Sequence, residues 1–253
     1  EGVRPVLDYF SQDGSLGLGA QMWLVRGASA RDALSAGGEQ GVDSRLETLQ
    51  NDSEMGVANL IRTAGETYTD LLELGCAYVP ALSPAGDGGV LLTEAGYGVL
   101  KGDTLSGFLE GEAARGLELL AGGPSSDILD VNLPGGPASV KVTSARTKSA
   151  LNFRGNTPSA LKLSCQIEAR LSEYRQRPEG EALDRLRAEL ESRERERIEE
   201  ALDRLQTWGT DCTGLGAGAG MSRPARWEAV REDWAEWFSR VPVEITVQIK
   251  INS

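Results

Sequence analysis

From Leu161 to Leu171 every second residue is apolar: Leu161, Leu163, Cys165, Ile167, Ala169 and Leu171 alternate with Lys162, Ser164, Gln166, Glu168 and Arg170. Successive side chains of an extended chain leave opposite faces, so this alternation predicts a strand with one buried face and one wet face. The chain closes on the same pattern, with Val243, Ile245, Val247, Ile249 and Ile251 alternating with Glu, Thr, Gln and Lys. Between the two lies a segment of a different period. Leu183, Leu186, Leu190, Ile198, Ala201, Leu202 and Leu205 recur at helical steps, predicting a long helix over 181–208. Strands and helices do not alternate regularly along the chain, which places it in the α+β class.

The remaining segments fit that class. A short apolar run over 20–25 predicts a strand, and Ser29 three residues before Asp32 predicts a capped short helix through Leu34. Val57, Leu60, Ile61, Ala64, Tyr68, Leu71 and Leu72 share a helical period, on one face of one helix or of two consecutive ones, with Gly75 as the stop. Strands are expected over 76–82, 95–100 and 138–148, turns at 84–89 and 101–103, and helix in parts of 104–120. Glycines and alanines over 214–220 read as a loop; it follows a helix and not a strand, which speaks against a dinucleotide-binding fingerprint. Pro224 starts a further helix that places Trp227, Val230, Trp234 and Trp237 or Phe238 on one face, a stripe expected to be core. The charged run over 192–197 reads as a solvated face held by intrahelical ion pairs, or else as a surface for a protein partner. Two domains are expected, 1–95 and 96–253, each a mixed or largely antiparallel sheet packed with helices.

Composition removes several functions. The net charge of −12 opposes binding of nucleic acid and does not favour a charge-driven membrane contact. The histidine count is 0, which removes Ser-His-Asp and Cys-His nucleophilic sites, His-containing metal sites and the usual proton shuttle. Cys76, Cys165 and Cys212 lie far apart, and we expect three buried free thiols and neither a disulfide framework nor a metal site. No segment approaches the roughly 20 apolar residues that span a bilayer. Glu1 opens the chain with no basic-then-apolar leader and no Cys nearby, from which we expect that a native N-terminal part was trimmed away.

Three stretches carry a family resemblance. Gly96-Tyr-Gly-Val-Leu-Lys-Gly-Asp-Thr-Leu-Ser-Gly-Phe-Leu109, continued by Glu112-Ala-Ala-Arg-Gly116, is similar to the "G-x-x-V-F-K-x-D-K-L-V-G-x-L … E-x-R-G" signature of the Ger(x)C family. Asp211-Cys-Thr-Gly-Leu-Gly216 after the long helix is similar to that family's "D-I-F-G-F-G". Trp227, Trp234 and Phe238 before the final strand resemble its aromatic ending. Weaker likenesses at 7–10, 28–34 and 78–82 resemble the family's middle domain. Thr104, Ser106, Cys212 and Thr213 depart from the pattern. The residues expected to matter structurally are Gly96, Lys101, Asp103, Leu105, Gly107, Arg115, Gly116, Asp211, Gly214, Trp227, Trp234 and Phe238.

The resemblance implies a C subunit of a spore nutrient germinant receptor, a lipoprotein on the outer face of the spore inner membrane. It implies partnership with integral-membrane A and B subunits, membrane attachment through an N-terminal lipid anchor, and no catalytic residues, metal or cofactor. Two other readings compete with it. A module that binds the germinant directly would need a concave pocket with convergent polar groups. A carboxylate-dependent hydrolase would need a paired-acid motif, and no such motif stands out among the 38 acidic residues.

Overall fold

The computed structural model describes residues 2–12, 17–35, 46, 60–85, 91–122, 128–133, 136–175 and 177–252. The chain forms two compact units, one of Glu1–Ala114 with Thr210–Thr213 and one of Arg115–Gly209 with Gly214–Ser253. This is the α+β architecture that the sequence predicts, one four-stranded sheet to each unit. The boundary expected at residue 95 lies inside a strand of the first sheet.

The first unit orders its sheet β1 (Leu24–Val25), β2 (Cys76–Ala85), β3 (Leu91–Lys101) and β4 (Thr104–Leu109). Strand β1 runs parallel to β2; the other pairs are antiparallel. Among the described residues, helices α1 (Arg4–Gln12), α2 (Ala30–Ser35) and α3 (Ala64–Glu73) belong to the unit. Leu7 of α1 is buried, and Tyr68 of α3 donates to the Asp8 carboxylate at 2.9 Å. Ser29 and Asp32 make the expected reciprocal contacts at the start of α2.

Three expectations shift here. The strand expected over 20–25 is only Leu24–Val25. Helix α3 starts at Ala64, later than the period that begins at Val57 implies. Thr63 is extended and closes a capping box with Glu66: the Glu66 N–H donates to the Thr63 hydroxyl at 3.2 Å and the Thr63 N–H to the Glu66 carboxylate at 2.8 Å. That cap ends the helix on its N-terminal side, leaving Leu60 and Ile61 outside it; Val57 and the turn glycines expected near 86–89 lie outside the described residues. Residues 104–109 form a strand and not a helix, because Gly102 at φ 59° turns the chain back into register with β3, Lys101 opposite Thr104.

The second unit orders its sheet β5 (Ile128–Leu133), β6 (Gly136–Arg154), β7 (Thr157–Tyr174) and β8 (Val243–Asn252). The first three form an antiparallel meander, and β8 lies parallel to β7 with Leu161 opposite Val243 and Ala169 opposite Ile251. Both alternating segments thus lie side by side in one register. Leu161, Leu163, Cys165, Ile167 and Ala169 are buried, as are Val247 and Ile249. Helix α4 (Gly111–Ala121) contributes through its C-terminal half, and α5 (Glu181–Trp208) spans the predicted range. Its Glu191 accepts from the Ile249 N–H at 3.0 Å, which satisfies one donor on the outer edge of β8.

Residues 214–220, expected as a loop, contain helix α6 (Leu215–Gly220). The single aromatic helix expected after Pro224 is two short ones, α7 (Pro224–Glu228) and α8 (Trp234–Phe238). Trp234, Val230 and Phe238 are nonetheless core. Their spacing meets one core surface through a broken helix as readily as through a straight one.

Candidate functional site

The motif residues are distributed over four local arrangements. Gly96 sits at a bulge where β3 holds one more residue than β2 between the pairs Leu82–Glu94 and Pro80–Tyr97. Its φ of 70° belongs to the left-handed region, and a Cβ there would collide with the Leu109 carbonyl oxygen, so only glycine fits. The bulge re-aims Tyr97, whose buried hydroxyl accepts from the Leu60 N–H at 3.0 Å and whose ring meets Tyr78 edge-on. Lys101 and Asp103 flank the exposed hairpin tip, where the Asp103 carbonyl accepts from the Val3 N–H at 2.8 Å. Leu105 is 48% exposed, and Gly107 pairs with Val99.

Arg115 and Gly116 serve the crossing of α4 and α5. A Cβ on Gly116 would overlap the Arg197 carbonyl and the Ala201 methyl, so the glycine sets how closely the helices pack. Beside it Arg115 pairs with Glu118 at 2.9 Å, and on α5 Arg197 pairs with Glu194 at 2.9 Å. Glu118 is 1% and Glu194 2% exposed. This corrects the expectation that 192–197 is wholly solvated: Glu194 and Arg197 are core, and the rest of the run faces water. The signal was present, since Glu194 and Arg197 continue the apolar stripe from Leu190 to Ile198 and Ala201 at helical steps. Isolated buried charges are prohibitively costly, and here each has its counter-charge one helical turn away.

Asp211 belongs to the four residues, Thr210–Thr213, that join the first unit. Thr210, Asp211 and Cys212 are buried. In the same unit Arg62 pairs with Asp70 and lies 4.6 Å above the Tyr78 ring centroid. Burial holds the Asp70 carboxyl above its usual range in spite of Arg62. Burial pushes the Cys76 thiol up to about 12, the Asp211 and Asp70 carboxylates adding to it. The Cys212 thiol is pushed up in the same direction, by burial first. Cys165, in the second unit, rises to about 11 from burial. A thiol attacks and ligates as the thiolate, so at neutral pH none of the three is primed for either. Among the described residues no cluster of three acidic or thiol side chains is placed to hold a metal.

Gly214, at φ 69°, starts α6, and the glycines beyond it explain the Gly-Ala composition. A Cβ on Gly216 would overlap the Trp234 indole and one on Gly220 the Trp227 indole. The two indoles meet edge-on with centroids 5.3 Å apart, and Phe238 follows at 6.0 Å from Trp234. The Ser149 hydroxyl of β6 donates to the Leu215 carbonyl at 2.6 Å, fixing α6 on the sheet. Gln206 donates to the carbonyls of Phe238 at 2.7 Å and Val241 at 2.9 Å, tying α5 to the turn that launches β8.

Fold and motif together define a two-sheet α+β protein in which Gly96 and Gly116 sit where backbones approach and Gly216 where an indole does. The chain belongs to the family described as spore germination B3/GerAC-like, whose C-terminal model matches residues 95–253. The structure reported as the crystal structure of the GerBC protein is similar over 100% of this chain and 75% of that one, with a TM-score of 0.79. At 19% identity this likeness is one of fold. No curated protein sequence matches the chain.

Proposed function

We propose that this chain is the extracytoplasmic part of the C subunit of a spore nutrient germinant receptor. It acts without catalysis, through contacts with the integral-membrane A and B subunits. In this reading a lipid anchor holds it on the outer face of the spore inner membrane. The observation that carries the reading is the family match over 95–253. Gly96, Gly116 and the Trp227–Trp234 pair are taken up by packing and Gly214 by a left-handed turn, which supports action through surfaces.

The test is nutrient-triggered germination of spores lacking the gene, with and without the full-length protein restored. Loss of the response to one germinant class, with non-nutrient triggers intact and the response restored by the gene, is the expected result. An unaltered response to every nutrient in a strain without other receptors would refute the proposal. A rise in melting temperature of the purified chain with a germinant would point instead to direct germinant binding.

A further inference from the structure

The second unit leaves one face of its sheet open, and the charges on it run against the charge of the whole chain. On β7 and β8 the side chains that alternate with the buried set are exposed, among them Lys162, Glu168, Arg170, Glu244 and Lys250; on β6 they include Arg146 and Lys148. Registers place them together: Arg146 opposite Gln166, Lys148 opposite Ser164, Glu168 opposite Lys250, Lys162 opposite Glu244. Half-buried Lys141 faces Arg170 directly, although like charges directly opposite destabilise a sheet. Of the lysines in a chain of net charge −12, only Lys101 lies off this face. The acids on it are Asp130, Glu168, Glu173 and Glu244. Glu244 pairs with Lys162 at 3.1 Å and Asp130 accepts from the Ser139 hydroxyl at 2.6 Å. Among the described residues Arg146, Lys148, Arg170 and Lys250 enter no ion pair.

We propose that this open face docks on an anionic phospholipid surface. Its rows over β6, β7 and β8 carry no aromatic side chain, and Ile128 at the β5 edge, opposite Lys141, is a lone exposed aliphatic beside them, so the face lacks the clustered aromatic anchors that protein interfaces and single-stranded nucleic acids require. A sheet of phosphate headgroups demands neither pockets nor shape complementarity, only basic side chains with reach. Lysine, a compact charge on a flexible stem, suits that role better than the bidentate arginine that prevails elsewhere in the sequence. Screening makes the local face decide over the net charge, since the Debye length is about 8 Å at physiological ionic strength. The proposal rests on the membrane-side reading above for its setting, and it orients the anchored module by its second unit.

The test uses the purified chain and flotation with vesicles of phosphatidylglycerol and phosphatidylcholine in equal parts, or of phosphatidylcholine alone, at ~150 mM and ~500 mM salt. Binding to the anionic vesicles only, weakened by salt, is expected. The triple variant Arg146→Glu, Lys148→Glu, Arg170→Glu should bind at least ~10-fold more weakly. Arg185→Glu, Arg195→Glu, Arg204→Glu on α5 changes net charge equally and should stay within about twofold. Should the first triple fail to fold, the same positions changed to Gln keep the comparison and should lose binding in the same direction. Equal loss in both triples, binding to polyglutamate but not to vesicles, or no binding to anionic vesicles at ~150 mM salt would each overturn the proposal. A germination defect can stand or fall independently of these results.

Discussion

Gly116 of α4 lies against the backbone carbonyl of Arg197 on α5, leaving no room for a Cβ. Gly116→Ala should therefore push the helices apart and cost about 1–3 kcal/mol, read as a lower urea midpoint at unchanged slope. Ala201→Gly should not rescue it, because the Arg197 carbonyl remains in the way. A Gly116→Ala protein as stable as the parent would show that the helices separate freely.

Glu194 and Arg197 form a pair with side chains 2% and 6% exposed. Glu194→Ala takes from the buried Arg197 guanidinium the counter-charge 2.9 Å away, and should cost about 3–5 kcal/mol. Replacing both, with Glu194→Leu and Arg197→Met, should cost less than the single change. Denaturant unfolding of the three variants decides it; a double variant worse than the single would mean that the pair adds stability beyond its own neutrality.

Gly216 and Trp234 are coupled through one volume. Trp234→Ala should destabilise by about 3–5 kcal/mol, and Gly216→Ala by less. In the double variant the Gly216→Ala cost should vanish, since the indole it strikes is gone. Additive losses in that cycle would rule out the contact as the reason for the glycine.

The capping box gives a pH dependence of known sign. Hydrogen bonding from the Thr63 N–H holds the Glu66 carboxyl below its usual range. A carboxyl whose folded value is depressed adds stability above its unfolded value, about 4.3, and loses it as pH falls through the folded one. Glu66→Gln should lower the unfolding midpoint slightly at pH 7, and the gap should close as pH falls below about 4. A gap that persists at pH 3 would mean that the carboxylate is not its source.

The thiols offer a test of the core. With Cys76 pushed up to about 12 and Cys165 to about 11 by burial, a thiol reagent at pH 8 should label the native protein far more slowly than the unfolded one. Rapid native labelling at Cys76 or Cys212 would mean that the first unit opens locally, and peptide mapping would show where.

The period of a sequence is a local property, and what it governs was legible. The alternations at 161–171 and 243–251 gave the strand faces, and the stripe over 181–208 gave the long helix residue for residue. The family signature was legible for the same reason, because a glycine forced by geometry leaves a fixed mark in a fixed place. Residues 104–109 are a strand because they pair across a turn with a neighbouring strand, and the Gly-Ala segment is helix α6 because its glycines answer to Trp227 and Trp234; local period carries neither fact. The burial of Glu194 and Arg197 was decided by where α4 crosses. Net charge, a sum over residues, says nothing of where the charges lie: only the register of β6, β7 and β8 gathers Lys141, Lys148, Lys162 and Lys250 of an acidic chain onto one face.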